Sequence, residues 1–211
     1  MPKLMVPGRL FAAAYDRMSA EVEQTFGAEH RPRLLADAHG DVVEIGAGTG
    51  VNIEIYPAGL GRLVLTEPDR HMRGKLAAKL AASGRTAEVV DARADALPFA
   101  DATFDTAVAT LVLCTVPDAP AALREVVRVL KPGGRLLFAE HVRSAEPKVA
   151  RRQDVMSPLW QVLARGCHPN RETLAAIRAA GLEVERIEDL EVPAVPRFAS
   201  EAILGSARKP G

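Results

Sequence analysis

The sequence predicts an α/β fold: a doubly wound, seven-stranded sheet, mostly parallel with its last strand antiparallel, and helices on both faces. Three observations carry this prediction. Strand-like apolar runs alternate five times with helix-compatible segments, as successive βαβ units require. The run "TAVATLVLC" (residues 106–114) is apolar on both faces, which suits a central parallel strand covered by helices on each side. Two final strand-like runs, "EVERIEDLEV" and "ASEAILGSAR", then close the chain as a hairpin at one edge.

The elements follow in order. Residues 9–26 and 29–38 read as two helical segments, and Gly40 releases the chain into the strand "DVVEIG". Beyond the glycines, "VNIEIY" reads as a short helix halted by Pro57. "RLVLTE" is a second strand, and the helix "DRHMRGKLAAKLAAS" ends at Gly84. "AEVV" is a third strand, and 106–114 is the fourth. Asp118 is the expected N-cap of the next helix, with Pro120 in its first turn and a stripe of Ala122, Leu123, Val126, Val127 and Leu130; "KPGG" stops it. "RLLFAEH" is the fifth strand. Residues 142–167 are helix-compatible but interrupted by Pro147 and Pro158, and a helix resumes at "NRETLAAIRAAG" between Asn170 as N-cap and Gly181.

The chain has 211 residues, 48% of them hydrophobic, enough for one good-sized domain. Lys plus Arg and Asp plus Glu are both 27, so no positive field draws it to nucleic acid or an anionic membrane. Strand four also lacks the Asn/Asp-Pro-Pro-aromatic cluster that grips a flipped base. The two cysteines, Cys114 and Cys167, stand far apart without disulfide or zinc spacing; no metal is expected, and a reducing cytoplasm suits them. Pro7, Gly8, Arg9, Asp16 and Arg17 interrupt the N-terminal apolar stretch, so neither a signal peptide nor a membrane span is expected, and membrane contact would be peripheral.

"VVEIGAGTG" sets three glycines at alternate positions directly after a strand, the place where an open parallel sheet binds its ligand. Val51 stands where a dinucleotide fingerprint needs a small residue, which weakens a nicotinamide reading. Glu67, at the end of strand two, suits the ribose of either NAD or S-adenosylmethionine (SAM). Glu44, inside strand one, is a costly carboxylate unless it is hydrogen-bonded or faces a cation. It reads either as a contact to the cationic methyl donor or as a paired carboxylate that ties down the loop.

"VVEIGAGTG", "LTEPD", "ADALPFADATFD" and "LREVVRVLKPGGRLLFAEH" resemble the successive motifs of class I SAM-dependent methyltransferases with their Rossmann-like fold, over residues 41–141. "ATLVLCTV", "EHV", the Trp160 region and "GCHPNRET" resemble the methyltransferase-like alkyl-thiol S-methyltransferases, whose animal members sit on membranes. The core is also similar to quinone-biosynthesis C-methyltransferases and phospholipid N-methyltransferases. The resemblance implies SAM as cofactor and a small-molecule methyl acceptor, with S-adenosylhomocysteine as product. It sets the glycine loop, Gly46, Ala47, Gly48, Thr49 and Gly50 with Asn52, and Glu44 beside the methionine moiety. Glu67, Pro68, Asp69 and Met72 fall near ribose and adenine, Ala94 and Asp95 border adenine, and Leu111 closes the methionine end. Tyr15 caps the cofactor from an N-terminal helical cap at 1–40; the methyltransferase domain is 41–211, with 142–170 a substrate-covering insert. Ala92 and Arg93 replace a Gly-Asp pair of the quinone-type relatives, which puts the adenine amino contact in doubt unless Asp91 or Asp95 supplies it.

His141, at the end of strand five, is the expected base or thiolate-stabilising group, against the alternative of a histidine satisfied by its loop. Trp160, Cys167 and His168 are the expected acceptor pocket, Trp160 with Leu159 and Leu163 forming an apolar cover; core packing explains these residues equally well. A nicotinamide oxidoreductase and a non-catalytic SAM-binding protein are the competing functions.

Overall fold

The computed structural model describes residues 20, 22–164, 166–193 and 195–211, so Tyr15 and half of the expected N-terminal cap lie outside the described residues. The strands are β1 (Val42–Ile45), β2 (Leu63–Thr66), β3 (Glu88–Val90), β4 (Phe104–Thr110), β5 (Leu130–His141), β6 (Glu183–Glu191) and β7 (Glu201–Arg208). They form one sheet in the order β3-β2-β1-β4-β5-β7-β6. The pairs from β3 to β5 are parallel, and β7 runs antiparallel between β5 and β6, as expected. Winding reverses between β1 and β4, so the carboxyl ends of these two strands frame the crevice in which such sheets bind ligands.

Period-2 alternation with both sides buried explains the layers. Val43, Ile45, Ala107, Ala109, Leu136 and Phe138 cluster on one face with Leu123 and Val126 of α3 (Ala119–Val129) and Ile177 of α5 (Thr173–Ala179). Val42, Val108, Leu137 and Leu204 pack on the other with Leu34 and Leu35 of α1 (Ala28–Leu35) and Leu76 of α2 (Arg70–Ser83). Asp118 caps α3 through Ala121 N at 2.8 Å, and Gly84 ends α2 in the left-handed region at φ 68°.

Several boundaries differ from expectation, each for a local reason. "VNIEIY" forms turns instead of a helix, because Asn52 and Tyr56 direct their side chains to Glu44. The described part of the N-terminal region has no break near residue 28: a π-helical turn, Glu23–Gly27, runs straight into α1. β4 stops at Thr110, since Leu111 turns at φ 59°. β5 starts at Leu130, so "KPGG" lies inside it. Residues 147–163 form one helix, α4 (Pro147–Leu163), through an exposed Pro158. α5 begins at Thr173, and Asn170, the expected N-cap, instead accepts from Ser157 Oγ and donates to Asp154, both at 3.0 Å.

Gly205 of β7 marks the tightest crossing of the hairpin. A Cβ there would collide with the Arg186 carbonyl oxygen and stand 2.9 Å from Phe138 Cζ. Gly205→Ala is expected to lower stability by about 1–3 kcal/mol, read as a fall in the urea midpoint at unchanged m value.

Candidate active site

The three glycines of the first loop all have positive φ, at 62°, 59° and 84°, but are bare for different reasons. A Cβ on Gly46 would press on Val112 Cγ2 at 2.9 Å, and one on Gly50 on Ile53 Cδ1 at 2.5 Å and Leu76 Cδ1 at 2.8 Å. These two let the loop pack against the protein. A Cβ on Gly48 would meet only Met72 Cε at 3.8 Å, so the space above this residue is open. Ala47 N donates to Thr66 O at 2.8 Å, which fastens the loop to the end of β2.

Glu67 continues that end. Its carboxylate accepts from Gly48 N at 3.0 Å and from Asp69 N at 2.8 Å, and burial raises its pKa against the pull of these two donors. Asp69 uses its own side chain as the α2 N-cap, accepting from His71 N at 2.8 Å and Met72 N at 3.1 Å. Residues 51–56 form turns, so no helix starts directly behind the glycines, where a dinucleotide-binding loop opens one toward a pyrophosphate.

Glu44 is held by protein donors alone: Asn52 Nδ2 and Tyr56 Oη reach its two oxygens at 2.8 Å each. Burial raises its pKa, and Arg31 opposes the rise. Arg31 donates to Asn52 Oδ1 and Thr110 Oγ1 at 3.0 Å and pairs with Glu23 at 2.7 Å. The burial of Glu44 therefore requires no cationic ligand. Thr49 and Asn52 are buried with it, whereas Asp95, expected at adenine, is paired with Arg93 at 2.7 Å, and Asp91 with Arg73 at 2.7 Å.

Across the switch point, Leu111 donates its N–H to Ala139 O at 2.8 Å. The next three N–H groups, of Val112, Leu113 and Cys114, donate to the carboxylate of Glu140 at 2.9, 2.9 and 3.0 Å. Burial pushes the Glu140 pKa well above the ordinary carboxylate range, and the three donors pull it back. Glu140 escaped the sequence reading. Its signal was the one that singled out Glu44, a carboxylate inside an apolar strand.

His141 follows Glu140 and is buried, with Nδ1 3.9 Å from Cys114 Sγ and 3.5 Å from Cys167 Sγ. Burial opposes its charging, yet Cys114 and Glu140 raise its pKa overall. His168 donates its backbone N–H to Cys114 O at 2.7 Å, and Arg171, also missed in the sequence, clamps the carbonyls of Leu113 and Val116. The structure thus brings Cys167 Sγ to His141 and His168 to the Cys114 carbonyl. Trp160 packs edge-on against Phe198 at 5.5 Å, but Leu159 and Leu163, expected to join it as a cover, are 54% and 58% exposed.

Residues 43–138 match the family model described as "Methyltransferase domain". The human thiol S-methyltransferase TMT1A is 34% identical over 174 residues, covering 80% of this chain and 70% of that protein. The chain belongs to the class I SAM-dependent methyltransferases. The rat thiol S-methyltransferase TMT1B is 33% identical over 85% of this methyltransferase and 74% of its own length. A ubiquinone/menaquinone biosynthesis C-methyltransferase, UbiE of Enterobacter sp., is 33% identical over 82% and 79%. Among solved structures, geranyl diphosphate methyltransferase in complex with SAM superposes with a TM-score of 0.67 at 17% identity, covering 93% of this chain and 90% of that one. A SAM-dependent methyltransferase from Methanosarcina mazei gives 0.65 at 20% identity, over 81% and 92%. Identities this low speak for the fold. The methyltransferase uses SAM as cosubstrate, and no helix among its described residues is long and apolar enough to cross a membrane.

Glu140 is the post on which the loop after β4 hangs. Glu140→Gln turns one acceptor oxygen into an NH2 that meets a backbone donor, and is expected to cost about 1–3 kcal/mol. Glu140→Ala, which leaves three buried N–H groups unpaired, should cost more. Chemical denaturation of the three proteins checks the order wild type, Gln, Ala.

Proposed function

We propose that this methyltransferase transfers the methyl group of SAM to a small-molecule thiol. The observation that carries the reading is the match to human and rat thiol S-methyltransferases over most of both chains, extending through the segment that holds His141 and Cys167. SAM supplies a methyl group on a sulfonium, which an acceptor nucleophile displaces in line. Catalysis of this kind needs alignment and exclusion of water before it needs a base, and ideal alignment is worth up to ~7–11 kcal/mol.

In this reading the open space at Gly48 takes the methionine moiety, with Gly46, Ala47, Thr49, Gly50 and Asn52 shaping it. The second lone pairs of Glu67 accept the ribose hydroxyls, and Pro68, Asp69 and Met72 border ribose and adenine. Ala94 lies beside adenine, with Asp95 there only if it leaves Arg93. Leu111 closes the methionine end, while Glu44 acts through Asn52 and Tyr56. Tyr15 and the region 1–40 complete the enclosure from the N-terminal side. Residues 142–170 cover the acceptor, with Trp160, Cys167 and His168 lining its pocket, and His141 steadies the acceptor as thiolate or takes its proton. Cytoplasmic placement belongs to the same proposal, since both cysteines are free. Methylation of a quinone precursor is the second reading, favoured by the match to UbiE over 82% of the chain.

Two measurements test this. Small alkyl thiols, hydrogen sulfide, phenols, amines and a demethylated quinone are supplied with SAM, and S-adenosylhomocysteine is quantified. Thiols are expected to give the highest kcat/KM, and turnover confined to the quinone would select the second reading. His141→Ala should depress that turnover more than SAM affinity. Gly48→Ala adds a methyl group to an open cradle at a strain of about 1–2 kcal/mol. Isothermal calorimetry is expected to show at least a tenfold loss of SAM affinity in a protein that still unfolds cooperatively; unchanged affinity would remove Gly48 from the cofactor site.

A further inference from the structure

Cys114, His141 and Cys167 come from three separate segments: the turn after β4, the last residue of β5, and the connection from α4 to α5. Their Sγ, Nδ1 and Sγ atoms nonetheless lie within 4.8 Å of one another, all buried. The separations are 4.0 Å between the sulfurs and 3.9 and 3.5 Å from each sulfur to the nitrogen. With Zn–S of about 2.3 Å and Zn–N of about 2.0 Å, a tetrahedral centre sets sulfurs ~3.8 Å apart and sulfur and nitrogen ~3.5 Å apart. The three donors stand within about 0.4 Å of those spacings.

The backbone around them is fixed, as the supporting shell of a metal site must be. Glu140 holds Cys114 N at 3.0 Å, and His168 N, next to Cys167, holds Cys114 O at 2.7 Å. Gly166, at φ 99°, lets this connection approach Thr115 O so closely that a Cβ would lie 3.0 Å from it. The ring atom facing the sulfurs is His141 Nδ1; its other nitrogen, Nε2, and the nearby Trp160 Nε1 are buried with no hydrogen bond among the described residues. A buried imidazole whose Nδ1 faces only two sulfurs is poorly satisfied by weak S–H donors, and a cation between the three atoms uses its lone pair and balances two thiolates.

We infer that Cys114, His141 and Cys167 bind one Zn²⁺ ion, with the fourth coordination position left for the sulfur of the acceptor thiol. The nitrogen and sulfur donor set favours zinc. No fourth His, Cys, Asp or Glu of the described residues joins the cluster, and the neighbouring carboxylate, Glu140, is committed to backbone donors. Three protein ligands with one open position is the pattern of catalytic rather than structural zinc. The cluster sits at the carboxyl ends of β4 and β5, on the side of the sheet where the acceptor is proposed to bind.

The acceptor half of this inference rests on the thiol reading above. The thiol gives up its proton to solvent on coordination, and the bound sulfur keeps a nucleophilic pair. That pair forms the new S–C bond to the methyl group of SAM, while the sulfonium S–C bond breaks and its electrons stay on S-adenosylhomocysteine. The thioether product, a weaker ligand than a thiolate, then leaves the metal.

The test is a Co²⁺ titration of the full chain, stripped with chelator under reducing conditions and followed by absorbance. The expected result is sulfur-to-cobalt charge transfer and tetrahedral d–d bands saturating at one ion per chain. These bands should be lost or weakened in Cys114→Ser and Cys167→Ser proteins that keep a wild-type circular dichroism spectrum. Should the variants fail to fold, the wild-type spectrum decides alone. No charge-transfer band from the folded wild type, or a Cys114–Cys167 disulfide in protein alkylated on isolation, overturns the zinc site. Adding a small alkyl thiol to the Co²⁺ protein is expected to raise the charge-transfer intensity as a third sulfur ligates; an unchanged spectrum overturns the acceptor role. Undiminished thiol methylation by the stripped protein would also sink that role while leaving the thiol activity intact. A responsive metal site in a protein that methylates no thiol would refute the activity instead.

Discussion

The carboxylate of Glu140 organises the carboxyl ends of β4 and β5. Three consecutive backbone N–H groups after β4 would be buried without partners in the turn they form, and one side chain satisfies all three. Because Glu140 belongs to the neighbouring strand, the bonds also tie the ends of β4 and β5 together at the switch point. Leu111 holds its left-handed conformation within this arrangement, and Cys114 is delivered to His141. A buried carboxylate is costly in an apolar sheet, and here the donors that offset the cost are also the groups that needed an acceptor.

The glycine loop divides its labour. Gly46 and Gly50 bring the chain against Val112, Ile53 and Leu76, while Gly48 alone borders open space. Glu67 is tied to Gly48 N, so the cradle and the carboxylate at the end of β2 form one unit. Short turns follow, where a dinucleotide-binding protein would start a helix. A phosphate-free, positively charged cosubstrate suits such a place.

Beneath the loop, Arg31 brings positive charge to a region holding Glu23 and Glu44, and reaches Glu44 through Asn52. This network explains why a buried glutamate on β1 says little about the ligand. The same caution applies to the cysteines in the opposite sense. Their spacing in the chain has no metal-binding form, yet folding sets both beside one histidine.

By itself the sequence determined the layering and winding of the fold, because period-2 alternation, caps such as Asp118 and stops such as Gly84 act over a few residues. It also placed the glycine loop at the carboxyl end of the first parallel strand, since glycines that follow such a strand have one place to be. Tertiary structure alone decided where β4 ends, that Glu140 would serve the loop after it, and that Cys114, His141 and Cys167 would meet. Those outcomes depend on donors and acceptors supplied by segments 26 to 58 residues away along the chain, and no local pattern encodes which buried polar group will find which partner.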